Sequence, residues 1–381
     1  MKHNRFIICF ITALVFFLVI FIFFTDDSVS KVTGKITVWA DNQNYEYLNS
    51  MAQKYIASNE KTTIDVINID DSNFLGSIDN AIKSNVLPDI VTVDSSDMRT
   101  VVEKYSNDIQ LKPNNKIADD YSKDFTKREL QEGTVSGNLL AVPFSSTPIA
   151  MYVNQNVLNS YGYNIEDLNT WNDIIRIGKD INTKSGGKIK IINATGTDNN
   201  YLESLILMQQ LENSDDEDTV KTNYSKFFEN LKSNNILNYD NNGQYIIKIS
   251  SIDGMKDISG TENCSGWVST VPPADASGKN KFYISSGTNL AELYNNESNS
   301  KLREAFLRYI VANKTDIYQS VSKGNFFCSY LTAYDKAEVE NQINNFTGQG
   351  PVVIMENVTT KAPDISEYDL FIKLKSQYSI N

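Results

Sequence analysis

The chain has 381 residues, of which 41% are hydrophobic and 11% aromatic, with 20 Tyr, 18 Phe and 3 Trp. That is enough apolar material for packed cores, which excludes a disordered chain, and the length exceeds what one core usually supports, so two domains are expected. The formal net charge of -12, with acidic residues spread along the sequence, repels phosphate backbones and argues against nucleic acid as a partner.

At the N-terminus, residues 6 to 24 are apolar except for Thr12. As a helix the run would span about 28 Å, close to one bilayer core. Lys2 and Arg5 precede it and Asp26 and Asp27 follow, so the positive-inside rule leaves the tip in the cytoplasm and everything after Thr25 outside. A signal anchor over residues 1–30 is therefore expected, with cleavage after a signal peptide at Ser28-Val29-Ser30 as the alternative. Cys9 sits inside the run as a membrane-buried thiol, while Cys264 and Cys328 lie outside. An oxidising compartment permits a disulfide between those two, and two unpaired buried thiols are the other option.

From Lys35 the sequence KITVWA predicts a strand, and Leu48, Met51, Ala52, Tyr55 and Ile56 recur at helical spacing in the segment after it. TTIDVINID reads as a second strand, FLGSIDNAIKSN as a helix and PDIVTVD as a third strand, an order that implies a parallel, right-handed sheet covered by helices. A second α/β unit follows AVPFSSTPIAMYVN: a helix from Trp171, the strand KIKIINA, a helix from Tyr201 to Leu211, an acidic SDDED loop and a helix from Tyr224 to Lys232. Residues 266 to 293 combine short strands with Pro and Gly turns, and Ser300 to Ala312 forms an amphipathic helix. No internal repeat or long low-complexity linker interrupts the chain.

Four segments in this order resemble the family of extracellular sugar-binding proteins that includes maltose-binding protein. They are KITVWADNQNYEYLNSMAQKY, LPDIVTVDSSDM, GNLLAVPFSSTPIAMYVNQNVL with the TWNDIIRIGKDI helix after it, and STVPPADASGKNKFYISSGTNLAEL with REAFLRYIVANK. The sequence departs from the family pattern at Asn169, where Pro is usual, and at Asp173, where Glu is usual. The resemblance implies an α/β, two-lobed periplasmic-binding-protein fold of type II, each lobe a mixed sheet flanked by helices. Lobe one would hold residues 31–143 and 269–314, and lobe two 144–268 and 315–381. It also implies a receptor that closes on a small-molecule ligand, a sugar or oligosaccharide, and delivers it to the permease subunits of an ABC importer. Such a receptor is a monomer without a cofactor.

In open α/β sheets ligands bind beyond the carboxyl ends of strands, where Asp41, Gln43 and Asn44 follow the first strand and Asp94, Ser95 and Ser96 the third. Carboxylates, amides and hydroxyls suit neighbouring sugar hydroxyls, although Asp41 and the serines also suit helix caps. Ser145 and Thr147 lie on the crossover, Asn199 and Tyr201 near a helix start, and Gly287 where backbone could approach a ligand. Sugars often rest on an aromatic ring, for which Trp267 is the leading candidate beside Trp39 and Tyr45, whereas core burial suits Trp39 and Trp171. His3 is the only histidine and precedes the apolar run, so no Ser-His or Cys-His nucleophile and no histidine-bearing metal site is available outside. A carboxylate-pair glycosidase stays open in principle, without a barrel pattern to support it. A membrane-anchored sensor or surface-binding protein without a transport role fits the anchor equally well.

Overall fold

The computed structural model describes residues 32–70, 73–260, 266–293, 299–334, 346, 350–363 and 368–378. The expected membrane span, Cys9 and Cys264 lie outside these. No helix among the described residues is long and apolar enough to cross a membrane.

The first three strands are β1 (Gly34–Ala40), β2 (Thr62–Asn68) and β3 (Ile90–Asp94), with helices Tyr45–Ser58 and Phe74–Ser84 between them. β1 pairs in parallel with both β2 and β3. Alternation explains β1, where Ile36, Val38 and Ala40 are fully buried on one face. After the small ladder β4 (Thr134–Val135) and β5 (Asn138–Leu139) come β6 (Ala141–Pro148) and β7 (Ala150–Asn154). Only Ile149 separates these last two, and they belong to different sheets.

The second sheet adds β8 (Ile189–Asn193), β9 (Leu237–Asn238), β10 (Gln244–Ser250) and β11 (Trp267–Thr270) in the order β11-β7-β10-β8-β9. The chain then returns through β12 (Ile284–Glu292), which runs antiparallel between β3 and β6 and completes the first sheet as β2-β1-β3-β12-β6. Both sheets are mixed, and each carries its own helices, giving a two-lobed α/β architecture.

Helix Trp171–Lys184 starts at a capping box in which Thr170 and Asp173 satisfy each other's backbone N–H groups. Aspartate thus completes the box where glutamate is usual. Two predicted helices start earlier than their apolar periodicity suggests. One runs Gly196–Leu211, because Asn193 Nδ2 donates to Asp198 Oδ2 at 2.6 Å and draws the preceding turn into the helix. The other runs Glu217–Ser233: Asp216 accepts from Thr219 N at 2.9 Å, so part of the acidic loop becomes a cap and first turn, where negative charge meets the helix dipole.

One apolar cluster joins β1, helix Tyr45–Ser58 and helix Ser300–Val311 to Tyr152, Met255 and the segment around Phe326 and Phe327, reaching across the junction of the sheets. A second is confined to the other lobe and includes Phe371 and Leu374 of the C-terminal helix Tyr368–Gln377. A third covers the opposite face of the first sheet with Phe74, Val91, Val93 and Met98. Cys328 is a buried free thiol, pushed up to about 12 by burial, so it is a poor nucleophile.

The first lobe also buries an ion pair. Arg303 Nε donates to Glu292 Oε1 at 2.8 Å with both side chains fully buried, and Arg303 Nη1 lies 3.2 Å from Asp89. Replacing Arg303→Met leaves the buried Glu292 carboxylate with only Lys112 Nζ, 3.2 Å from Oε1, and should cost about 3 kcal/mol in urea unfolding. Adding Glu292→Gln should recover part of that loss, whereas an equal or larger loss in the double variant would show that the pair's charge is not what matters.

Candidate functional site

A cavity of about 160 Å³ lies between the two sheets, lined by Gln43, Asp94, Ser145, Thr147, Tyr201, Ser285, Ser286, Gly287, Thr288 and Lys375. The lining residues reach it from six elements. Gln43 follows the carboxyl end of β1, and Asp94 is the last residue of β3. Ser145 and Thr147 lie on β6 just before the chain changes sheets, and residues 285 to 288 lie on β12 opposite it. Tyr201 and Lys375 are brought in from helices of the second lobe.

β12 is irregular here. Its register with β6 shifts between Ile284 and Gly287 and again between Thr288 and Asn289, so the two bulges turn a run of hydroxyl-bearing residues toward the cavity. Gly287 lies tight against the wall: an added Cβ would stand 2.8 Å from Glu132 Oε2 and 3.0 Å from Ser95 Oγ, so those side chains would have to shift.

Hydrogen bonds hold the polar walls. Asp94 Oδ1 accepts from Ser96 N at 2.7 Å and from Ser96 Oγ at 2.5 Å, and Asp94 Oδ2 accepts from Ser286 Oγ at 2.5 Å. Thr147 Oγ1 donates to Ser286 O at 2.9 Å. The Tyr201 hydroxyl donates to Asp253 Oδ2 at 2.9 Å, and burial, reinforced by that carboxylate, holds it well above the usual phenol range.

Other predicted residues are used differently. Asn44 is fully buried and binds Asp41 through its backbone N–H at 2.8 Å and its side chain at 2.8 Å and 3.0 Å. Asp41 in turn accepts these bonds and is raised above its ordinary value chiefly by burial. This pair folds the turn that presents Gln43. Ser95 is also buried: its Oγ lies 2.8 Å from Glu132 Oε2, 2.9 Å from Gly287 O and 3.0 Å from Asn289 Nδ2. Ser95 and Ser96 line a separate 630 Å³ groove together with Arg99, Glu132, Asp369 and Lys373. Asn199 is turned along its own helix, donating to Glu203 at 2.8 Å.

Trp267 does not reach the cavity between the sheets. It is 8% exposed, lies 6.1 Å from the Tyr245 ring, and lines a 330 Å³ pocket of the second lobe with Asn193, Asp198 and Lys248. Trp39 is partly buried against the third apolar cluster and Tyr45 against the first, while Trp171 is buried with its Nε1 donating to Gln209 at 2.7 Å. The cavity residues that sequence reasoning missed are Ser285, Ser286, Thr288 and Lys375. The SSGTN run interrupting an apolar strand was the available signal for the first three.

Three comparisons bear on this arrangement. No family model matches the chain. The lactose-binding protein of Rhizobium radiobacter is 25% identical over 174 residues, 44% of this chain and 40% of that protein, so the match spans less than half the length of the curated relative. Among solved structures, the GacH receptor of Streptomyces glaucescens, studied unliganded and with acarbose, matches with a TM-score of 0.67 and 15% identity over 91% of this chain and 98% of its own. The fold is that of the two-lobed solute-binding proteins. The cyclic α-maltosyl-1,6-maltose binding protein of Arthrobacter globiformis shares it, with a TM-score of 0.64 and 16% identity over 91% of this chain and 99% of that one. So does UgpB from Mycobacterium tuberculosis, solved with glycerophosphocholine, with a TM-score of 0.66 and 12% identity over 91% and 98%. In this solute-binding-protein fold the cavity lies where the two lobes face each other.

A titrating group sits behind the wall. Glu129, on the short helix Lys127–Glu132, is pushed up to about 7 by burial, against hydrogen bonds from Thr126 and Ser329 that favour its charged form. A carboxyl with a raised folded value holds its proton more tightly folded than unfolded, so its contribution is full below about pH 4.5 and is lost as pH rises through 7. Stability measured from pH 5 to 8 should therefore fall by on the order of 2–3 kcal/mol from this group. Glu129→Gln should flatten that slope, and an unchanged slope would remove Glu129 as its source.

Proposed function

We propose that this protein is an extracellular receptor that captures a saccharide between its lobes by hinge closure and delivers it to the permease subunits of an ABC importer. One observation carries the reading: a single cavity is lined from both lobes by an amide, a carboxylate, a phenol, an ammonium and several hydroxyls. Such donors and acceptors match the dense hydroxyl pattern of a sugar, and Tyr201 is the one ring among the residues that line it. The volume of about 160 Å³ is below the roughly 300–1,000 Å³ of typical small-molecule sites, so admitting a solute requires the lobes to part. The names of the lactose-binding relative and of the acarbose and cyclic maltosyl-maltose receptors support the ligand class.

In this reading residues 31–143 and 269–314 form lobe one and residues 144–268 and 315–381 form lobe two, hinged at Ile149 and the return into β12. The apolar run of residues 6–24 tethers the receptor, as a monomer, to the outer face of the cell membrane. The protein binds its solute and does not transform it. Ligand contacts to both lobes favour the closed state, which the permease recognises.

The test is thermal melting of the full chain in detergent against a panel of neutral and acidic mono- and oligosaccharides, amino acids and polyamines. A bound saccharide at about 100 times its Kd should stabilise by about 2.7 kcal/mol. Gln43→Ala and Asp94→Asn should each weaken it by about tenfold or more. Stabilisation by an amino acid or polyamine alone, or variants that bind as well as the parent, would contradict the assignment.

A further inference from the structure

Four cationic side chains are buried among the described residues, and three have a carboxylate beside them. Arg128 lies 3.1 Å from Glu132, Lys248 lies 2.6 Å from Asp257 and 3.1 Å from Asp198, and Arg303 lies 2.8 Å from Glu292. Lys375 is the exception. It is 8% exposed and lines the inter-lobe cavity, yet the described residues give its ammonium neither an ion-pair partner nor a hydrogen bond.

Its position follows from helical spacing. Phe371, Leu374 and Lys375 stand at i, i+3 and i+4 of the C-terminal helix, so the face that packs Phe371 and Leu374 into the second lobe carries Lys375 inward as well. Asp94, the one carboxylate among the residues that line the cavity, already accepts from Ser96 and Ser286 at both oxygens. The ammonium faces the cavity without a counter-charge, so an incoming anionic ligand can supply one at short range in a narrow, partly water-excluded site.

We propose that the captured solute is an acidic saccharide whose anionic group pairs with Lys375. This rests on the saccharide reading above and narrows it: sugar hydroxyls meet Gln43, Asp94 and Thr147, while the anion meets the ammonium. A carboxylate and a phosphate ester offer the same chemistry to Lys375.

The experiment is titration calorimetry on the full chain in detergent with matched sets of probes: neutral mono- and disaccharides, the corresponding uronates and the corresponding 6-phosphates. One acidic member should bind roughly 10- to 100-fold more tightly than its neutral counterpart, and the uronate and phosphate arms identify which anion is taken. Lys375→Gln should bring the acidic probe's affinity down to that of its neutral counterpart, and Lys375→Arg should retain the preference. If Lys375→Gln does not melt cooperatively, the parent's ratio of acidic to neutral affinity and the Lys375→Arg variant decide alone. Neutral sugars binding as tightly as their acidic forms would overturn the proposal and leave the saccharide reading standing. Failure of every saccharide, neutral and acidic, would overturn both.

Discussion

The architecture depends on one extended segment, residues 141–154, that is a strand of both sheets in succession. Ile149, fully buried, is the only residue between β6 and β7, and its N–H donates to Tyr283 O at 2.9 Å. The segment around Cys328 lies along β6, with Ser146 N donating to Phe327 O and Ser329 N to Phe144 O, both at 2.9 Å. Any rotation of one lobe against the other must pass through this stretch, because it has no loop in which to absorb the motion. The residues that line the cavity from β6, Ser145 and Thr147, lie immediately before that point. In the proposed closure, cavity wall and hinge therefore share one stretch of backbone.

The walls show how buried polarity is supported. Asp41 accepts from the backbone N–H and side-chain amide of Asn44 in one turn, and Ser95, Glu132, Arg128 and Ile284 O form a buried chain of hydrogen bonds behind the bulged β12. Gly287 lies tight against that network, whose side chains would have to shift to admit a Cβ. These groups brace the cavity wall, and the partly exposed Gln43, Asp94, Thr147 and Tyr201 line the cavity itself. Fixed dipoles of this kind give binding its directionality, since they need little rearrangement when a ligand arrives.

Much of the first sheet was legible in the sequence. The period-2 pattern of KITVWA and the helical spacing of Leu48, Met51 and Tyr55 each admit one reading, and the parallel order follows from their alternation. The resemblance in residues 137–181 carried the crossover. Helix starts were less legible, because Asp198 and Asp216 act through polar contacts that apolar periodicity does not register. Among the candidate site residues, Gln43, Asp94, Ser145, Thr147, Tyr201 and Gly287 converge on one cavity from distant parts of the chain. Asn44 and Ser95 have the same polar chemistry and face inward. Residue type does not distinguish a group that binds solute from one that braces the loop, since both need donors and acceptors at strand ends. Lys375 was invisible for a different reason: a lysine on an amphipathic helix normally faces open solvent, and only the packing of Phe371 and Leu374 reveals that this one turns into the cavity.

The most direct measurement is a crystal structure of the protein with the saccharide that gives the largest thermal shift. The account predicts sugar density between the lobes, touching Gln43 or Asp94 from one side and Tyr201 or Lys375 from the other, with the lobes closed on it. Sugar seated instead in the 330 Å³ pocket beside Trp267 and Tyr245, contacting the second lobe alone, would contradict capture by closure.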